Sequence, residues 1–148
     1  MAGYEGVNVA PIGHNYDGCV ERRRVASGSP YEPVIGFSRA AVAGHHVSVA
    51  ATAPIMPDGG EPPSDAYGQA KRCLEIVVAA LEEAGASVSD VVRTRCFIVF
   101  VEDWEEVGRA HGEVFADVRP ASSMIVVTGF IDPRWRVEIE ADAVLDEG

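Results

Sequence analysis

Between residues 66 and 84 the apolar positions Ala66, Ala70, Cys73, Leu74, Val77, Val78, Leu81 and Ala84 return every three or four residues, which gathers their side chains on one helical face. Ser64 or Asp65 stands where an N-cap belongs and Gly85 where the chain leaves the helix, so the pattern predicts a helix of about twenty residues. The period changes at 91. From there to 101 β-branched and aromatic residues dominate, predicting a strand. Asp103-x-x-Glu106 has the form of a capping box and opens a second helix through Phe115, with Trp104, Val107, Ala110 and Val114 as its apolar stripe. Pro120 closes that unit, 123–128 reads as a strand, Asp132-Pro133 as a turn, and 134–144 as a strand alternating polar with apolar residues.

Upstream, 19–26 and 37–43 are short strand candidates. Ala43-Gly44-His45-His46 is a turn into a further strand over 46–51, so a hairpin is expected. The proline- and glycine-dense stretch 54–63 is a loop, and 1–18, with four glycines, one proline and no period, reads as a leader that is loose or draped over a neighbour. The predicted order is β-β-β-α-β-α-β-β: one domain over 19–148, of α/β (α+β) class, with two helices on one face of a mixed sheet.

The other sheet face is then uncovered. In the last strand Val137, Ile139, Ala141 and Ala143 face one way and Arg136, Glu138, Glu140 and Asp142 the other. In the strand from 91, Val92, Thr94, Cys96, Ile98 and Phe100 form the even face, while Arg93 and Arg95 share the odd face with Phe97, Val99 and Val101. A face mixing charge with large apolar groups suits a subunit interface, where Arg93 or Arg95 can pair with Glu138 or Glu140.

Composition narrows the function. The 148 residues carry 23 acidic and 12 basic side chains, a net charge of −11, and the only basic cluster, Arg22-Arg23-Arg24, would alternate faces in a strand. Such a chain repels a phosphate backbone, so no nucleic-acid partner is expected. The apolar runs 76–81 and 96–101 fall far short of the roughly 20 residues that span a bilayer, and no basic-then-apolar leader opens the chain, so no membrane association and a cytoplasmic location are expected. Cys19, Cys73 and Cys96 are odd in number and widely spaced, with no C-x-x-C pair and no His at ligand spacing. Neither a disulfide framework nor a zinc site is signalled.

Six segments then arrive in a familiar order: Gly36-Phe-Ser-Arg-Ala40, Val49-Ala-Ala-Thr-Ala-Pro54, Leu81-Glu-Glu-Ala-Gly85, Asp90-Val-Val-Arg-Thr94, Arg119-Pro-Ala-Ser-Ser123 and Val137-Glu-Ile-Glu-Ala141. From about Arg24 to Leu145 the chain resembles the RidA family, also called YjgF or L-PSP endoribonuclease. The resemblance implies a chorismate-mutase-like fold, a homotrimer with small-molecule clefts between adjacent subunits, no cofactor, and hydrolysis of reactive enamines and imines. It also implies an Arg that clamps the substrate carboxylate, in a segment that here reads Pro120-Ala121-Ser122-Ser123. Ser122 offers a hydroxyl but no charge and no bidentate fork, which puts the usual deaminase activity in doubt. The commonly tyrosine position is Phe37 and the commonly asparagine position is Gly108, whereas the carboxylate position survives as Glu138.

Each candidate has a plainer reading beside the functional one. Glu138 suits acid–base or water-positioning work, or an interface salt bridge. Arg39 and Arg95 can replace the missing cation or pair across an interface. Thr52 can donate to a ligand or cap its strand; His45 and His46 read as a solvated turn, His111 as surface or interface, and Cys96 as core. An enzyme acting on a small carboxylate- or imine-type metabolite therefore competes with a non-catalytic metabolite- or protein-binding chain, and ribonuclease action or translation inhibition stands last, against the acidic charge.

Overall fold

A computed structural model describes residues 20–146 of the chain; the predicted leader and Cys19 lie outside them. Among the described residues six strands form one sheet: β1 Arg22–Val25, β2 Ala40–Ala43, β3 His46–Thr52, β4 Val91–Ile98, β5 Ala121–Val126 and β6 Val137–Val144. Their order is β1-β2-β3-β6-β4-β5, antiparallel throughout except for the parallel β4–β5 pair. Helices α1, Ala66–Glu83, and α2, Trp104–Phe115, cover one face. The order and class predicted from the pattern are those observed. No helix among the described residues is long and apolar enough to cross a membrane.

Local chemistry accounts for most boundaries. Asp65 caps α1 by accepting from the Gly68 N–H at 2.7 Å, and Gly85 leaves it at φ +88°, a left-handed conformation that glycine adopts without a Cβ clash. The α1 stripe then meets Val137, Ile139, Ala141 and Ala143 of β6 in the core. Several boundaries are shorter than the pattern suggested. Residues before Ala40 are not strand, because Glu32–Gly36 forms one π-type turn closing on Phe37. The strand from 91 stops at Ile98, and Arg134 lies in the turn, holding Asp132, ahead of β6. β5 begins earlier than expected, at Ala121, and ends at Val126.

Two bulges correct the face assignments. Val91 pairs with Ala143 and Arg93 with Asp142, so Val92 is an extra residue on β4. Val91 is therefore in the core at 3% exposure and Val92 is 48% exposed, opposite to strict alternation. A slip between Val49 and Thr52 likewise turns Thr52 toward the core beside its partner Ile139.

The capping-box reading of Asp103 also fails. Asp103 makes no cap hydrogen bond; its carboxylate instead takes both Nε and Nη2 of Arg136, at 2.9 and 2.8 Å, tying the start of α2 to the approach to β6. Trp104, expected in the α2 stripe, is 56% exposed, and Phe115 is buried with Val107 and Ala110. On the sheet face away from the two helices, Arg95 pairs with Glu140 inside one chain, because β4–β6 register sets them opposite. This answers within the subunit a pairing the sequence left open to an interface.

Candidate functional site

The candidate residues fall into two groups. The first gathers at the ends of β2, β3 and β6. Arg39 directly precedes β2; its N–H donates to Val25 O at 2.8 Å and its carbonyl accepts from Ala50 N–H at 2.9 Å, so the ladder holds its backbone. Its Nη1 donates to Thr52 Oγ1 at 2.9 Å, and the fully buried Thr52 hydroxyl donates on to Ala50 O at 2.7 Å. The β3 bulge places that hydroxyl under the guanidinium. Glu138, half-buried between the core residues Val137 and Ile139, projects from the opposite side of β6. Burial pushes the Glu138 carboxyl above its ordinary range, and the nearby Arg39 charge opposes that shift. Arg39 feels the reciprocal effect: burial lowers its pKa, while Glu32 and Glu138 favour its charge.

Arg39 also borders an open cavity of about 310 Å³ with Ile55, Met56, Arg72 and Ile76. A larger hollow, about 380 Å³, lies between α1 and α2 against Leu74, Val78 and Val114 and contains none of the candidates. Of the candidates, Arg39 is the one that borders the smaller cavity. Phe37, two residues before Arg39, keeps 40% of its surface exposed.

The second group lies where α2 meets β4 and β5. Register sets Ser122 beside Thr94, whose buried hydroxyl is 2.9 Å from Ser122 Oγ and 2.7 Å from His111 Nε2. One helical turn before His111, Gly108 leaves open space, since a Cβ there would meet nothing within 4 Å. Burial holds the His111 imidazole below its ordinary pKa, and its ring lies 4.7 Å from that of Phe115.

Strand alternation separates Glu138 from Ser122. Ser122 shares the helix-covered face with Thr94, whereas Glu138 faces the other way, opposite Phe97. From Thr52 on β3 to Ser122 on β5 the order β3-β6-β4-β5 crosses three strand spacings, about 14 Å. Of the sequence candidates, Arg39, Thr52 and Glu138 come together, Ser122 and Gly108 form a second locus, and Arg95 is committed to Glu140. Cys73 and Cys96 are buried free thiols, Cys96 pushed up to about 12 by desolvation, which makes both poor nucleophiles. Reading the pattern missed the contact between Thr94 and His111; the available signal was a lone hydroxyl on the otherwise apolar even face of β4.

Comparison with known proteins places this geometry in a family. The family model described as "Endoribonuclease L-PSP" matches residues 28–145. An uncharacterized protein of Streptomyces coelicolor is 43% identical over 121 residues, covering 82% of this chain and 90% of its own. The 2-iminobutanoate/2-iminopropanoate deaminase of Escherichia coli is 32% identical over 104 residues, covering 68% and 80%. The crystal structure of Rv2704 from Mycobacterium tuberculosis, described as a member of the YjgF/YER057c/UK114 family, superposes with a TM-score of 0.77 at 40% identity, covering 84% of this chain and all of its own. With the matched segments, the six-stranded sheet and the two covering helices all in agreement, the chain belongs to the RidA (YjgF, L-PSP) family.

Proposed function

We propose that the chain binds a small carboxylate- or imine-type metabolite in clefts between adjacent copies of a homotrimer. Arg39 supplies the cation, Glu138 holds or moves a proton and positions water, Phe37 completes the wall, and the buried Thr52, its hydroxyl shared between Arg39 and Ala50 O, holds the guanidinium in place rather than touching the ligand. The observation that carries this reading is that Glu138 and Ser122 stand on opposite faces of the sheet. A ligand of a few carbon atoms cannot reach Glu138 and Ser122 of the same chain, so one site containing both needs a second copy. The pKa shift at Glu138 supports the role, because a carboxyl pushed upward by burial and held ionisable by a nearby guanidinium sits closer to the range where acid–base work is efficient.

Turnover of the imines named for the Escherichia coli relative is weak in this chain, because Ser122 replaces the charge-assisted, two-point contact that an Arg provides with one neutral hydroxyl. That same substitution favours, as second reading, a cleft that binds its metabolite without turning it over. Light scattering together with a coupled assay of 2-iminopropanoate hydrolysis tests the reading. It expects a trimer with slow hydrolysis, raised by Ser122→Arg and abolished by Glu138→Gln. A monomer at micromolar concentration, or wild-type turnover equal to that of an Arg-bearing relative, defeats it.

A further inference from the structure

The locus around Ser122 is a connected set rather than an empty clamp. Thr94 Oγ1 lies 2.7 Å from His111 Nε2 and 2.9 Å from Ser122 Oγ, so an imidazole, a buried hydroxyl and an exposed hydroxyl form one hydrogen-bonded chain from α2 through β4 to the edge of the sheet. The neighbouring cations are turned away or occupied. Arg93 and Arg95 alternate onto the other face, Arg95 in its pair with Glu140, and Arg119 directs its Nε at Ala116 O. Gly108 keeps the space beside the chain open.

We propose that Ser122, Thr94 and His111 form a subsite for an uncharged carbonyl group, a primary amide above all, at the end of the ligand opposite the one held by Arg39. The inference rests on the cleft reading and names the substrate class that this cleft selects. A hydroxyl chain can reverse its direction. When His111 donates to Thr94 and Thr94 to Ser122, the Ser122 proton is free for a carbonyl oxygen; in the reverse sense Ser122 Oγ accepts an amide N–H. A carboxylate at the same place gains one neutral donor and loses its water, a poor exchange. Ser122 is then the residue that touches the ligand, and Thr94 and His111 position it.

The test compares two ligands that differ at one end only, succinamate and succinate, both of which keep a carboxylate for Arg39. Calorimetry on the full-length wild-type protein is expected to give succinamate about a tenfold tighter binding, the size of one well-made hydrogen bond, with a shift of the His111 imidazole resonances. Ser122→Arg reverses the preference. Thr94→Val brings the two affinities together without altering the oligomer, and Thr94→Ser restores the difference, which a merely structural Thr94 would not do. If both ligands bind and both weaken in Arg39→Ala, but succinate equals or exceeds succinamate in the wild type, this inference is overturned and the cleft reading survives. Binding by neither ligand overturns both.

Discussion

Glu138 and His111 are half-buried titratable groups whose fold-induced shifts run in opposite directions, so each gives pH dependence of its own sign. The Glu138 carboxyl is raised chiefly by burial. Its contribution to stability is therefore full below the ordinary carboxyl range and is lost as pH rises through the folded-state value. Glu138→Gln is expected to melt higher than the wild type at pH 7 and equally at pH 4, while turnover falls about a hundredfold or more, below detection for an already slow reaction, as for loss of a general acid–base. Thermal melts at the two pH values check the first half, and light scattering must show the oligomer unchanged. The His111 imidazole is lowered by burial. Its contribution is present above the ordinary histidine value and lost as pH falls through the folded one, so His111→Gln should flatten the loss of stability between pH 7 and 5 in urea titrations. Glu138 was legible from alternation and its motif. Thr94 and His111 were not, because a polar residue on an apolar strand face says that it has a partner without saying which one.

The two helices are started by different devices, and that difference can be measured. Asp65 caps α1 with one hydrogen bond from Gly68 N–H, so Asp65→Ala should cost about 1 kcal/mol. Asp103 has the sequence position of a cap on α2 yet spends its carboxylate on Arg136, whose guanidinium also lies 5.0 Å from the Phe100 ring. Asp103→Ala breaks a two-point charged contact and strands Arg136. The cost should be about 2 kcal/mol, limited because part of the Arg136 side chain stays in water. Chemical denaturation that finds the two variants equal would show Asp103 to be an ordinary cap. The bulges at Val92 and before Thr52 belong to the same scale. They turn Val91 and Thr52 inward, and no periodicity argument reaches them, since the register shift depends on the partner strand.

As a single subunit the molecule leaves a sheet edge unresolved. Among the described residues β5 pairs with β4 alone, all six of its residues are exposed, and Met124, Ile125 and Val126 are among them. An apolar edge strand beside an uncovered face is what a subunit interface covers. The proposed trimer thus predicts that Ile125→Glu lowers the mass found by light scattering from three chains to one, and that the wild-type melting temperature rises with protein concentration. A variant that remains trimeric would place the interface elsewhere. The mixed face had signalled an interface already; the Arg95–Glu140 pair, satisfied inside one chain, moves the weight of that expectation from charge to the β5 edge.

Element order, the buried face of α1 and the core stripe of β6 followed from the sequence, because period-3.6 and period-2 patterns and turn residues are local properties of the chain, and the family followed from the order of its matching segments. Tertiary structure decided the rest. Which cation stands near Glu138, which residue supports Ser122, and on which sheet face each lies depend on strand order and register between segments far apart in sequence: Arg39 with Thr52 and Glu138, Ser122 with Thr94 and His111. Those pairings are set by the packing of the whole sheet against its helices, and no local pattern encodes them.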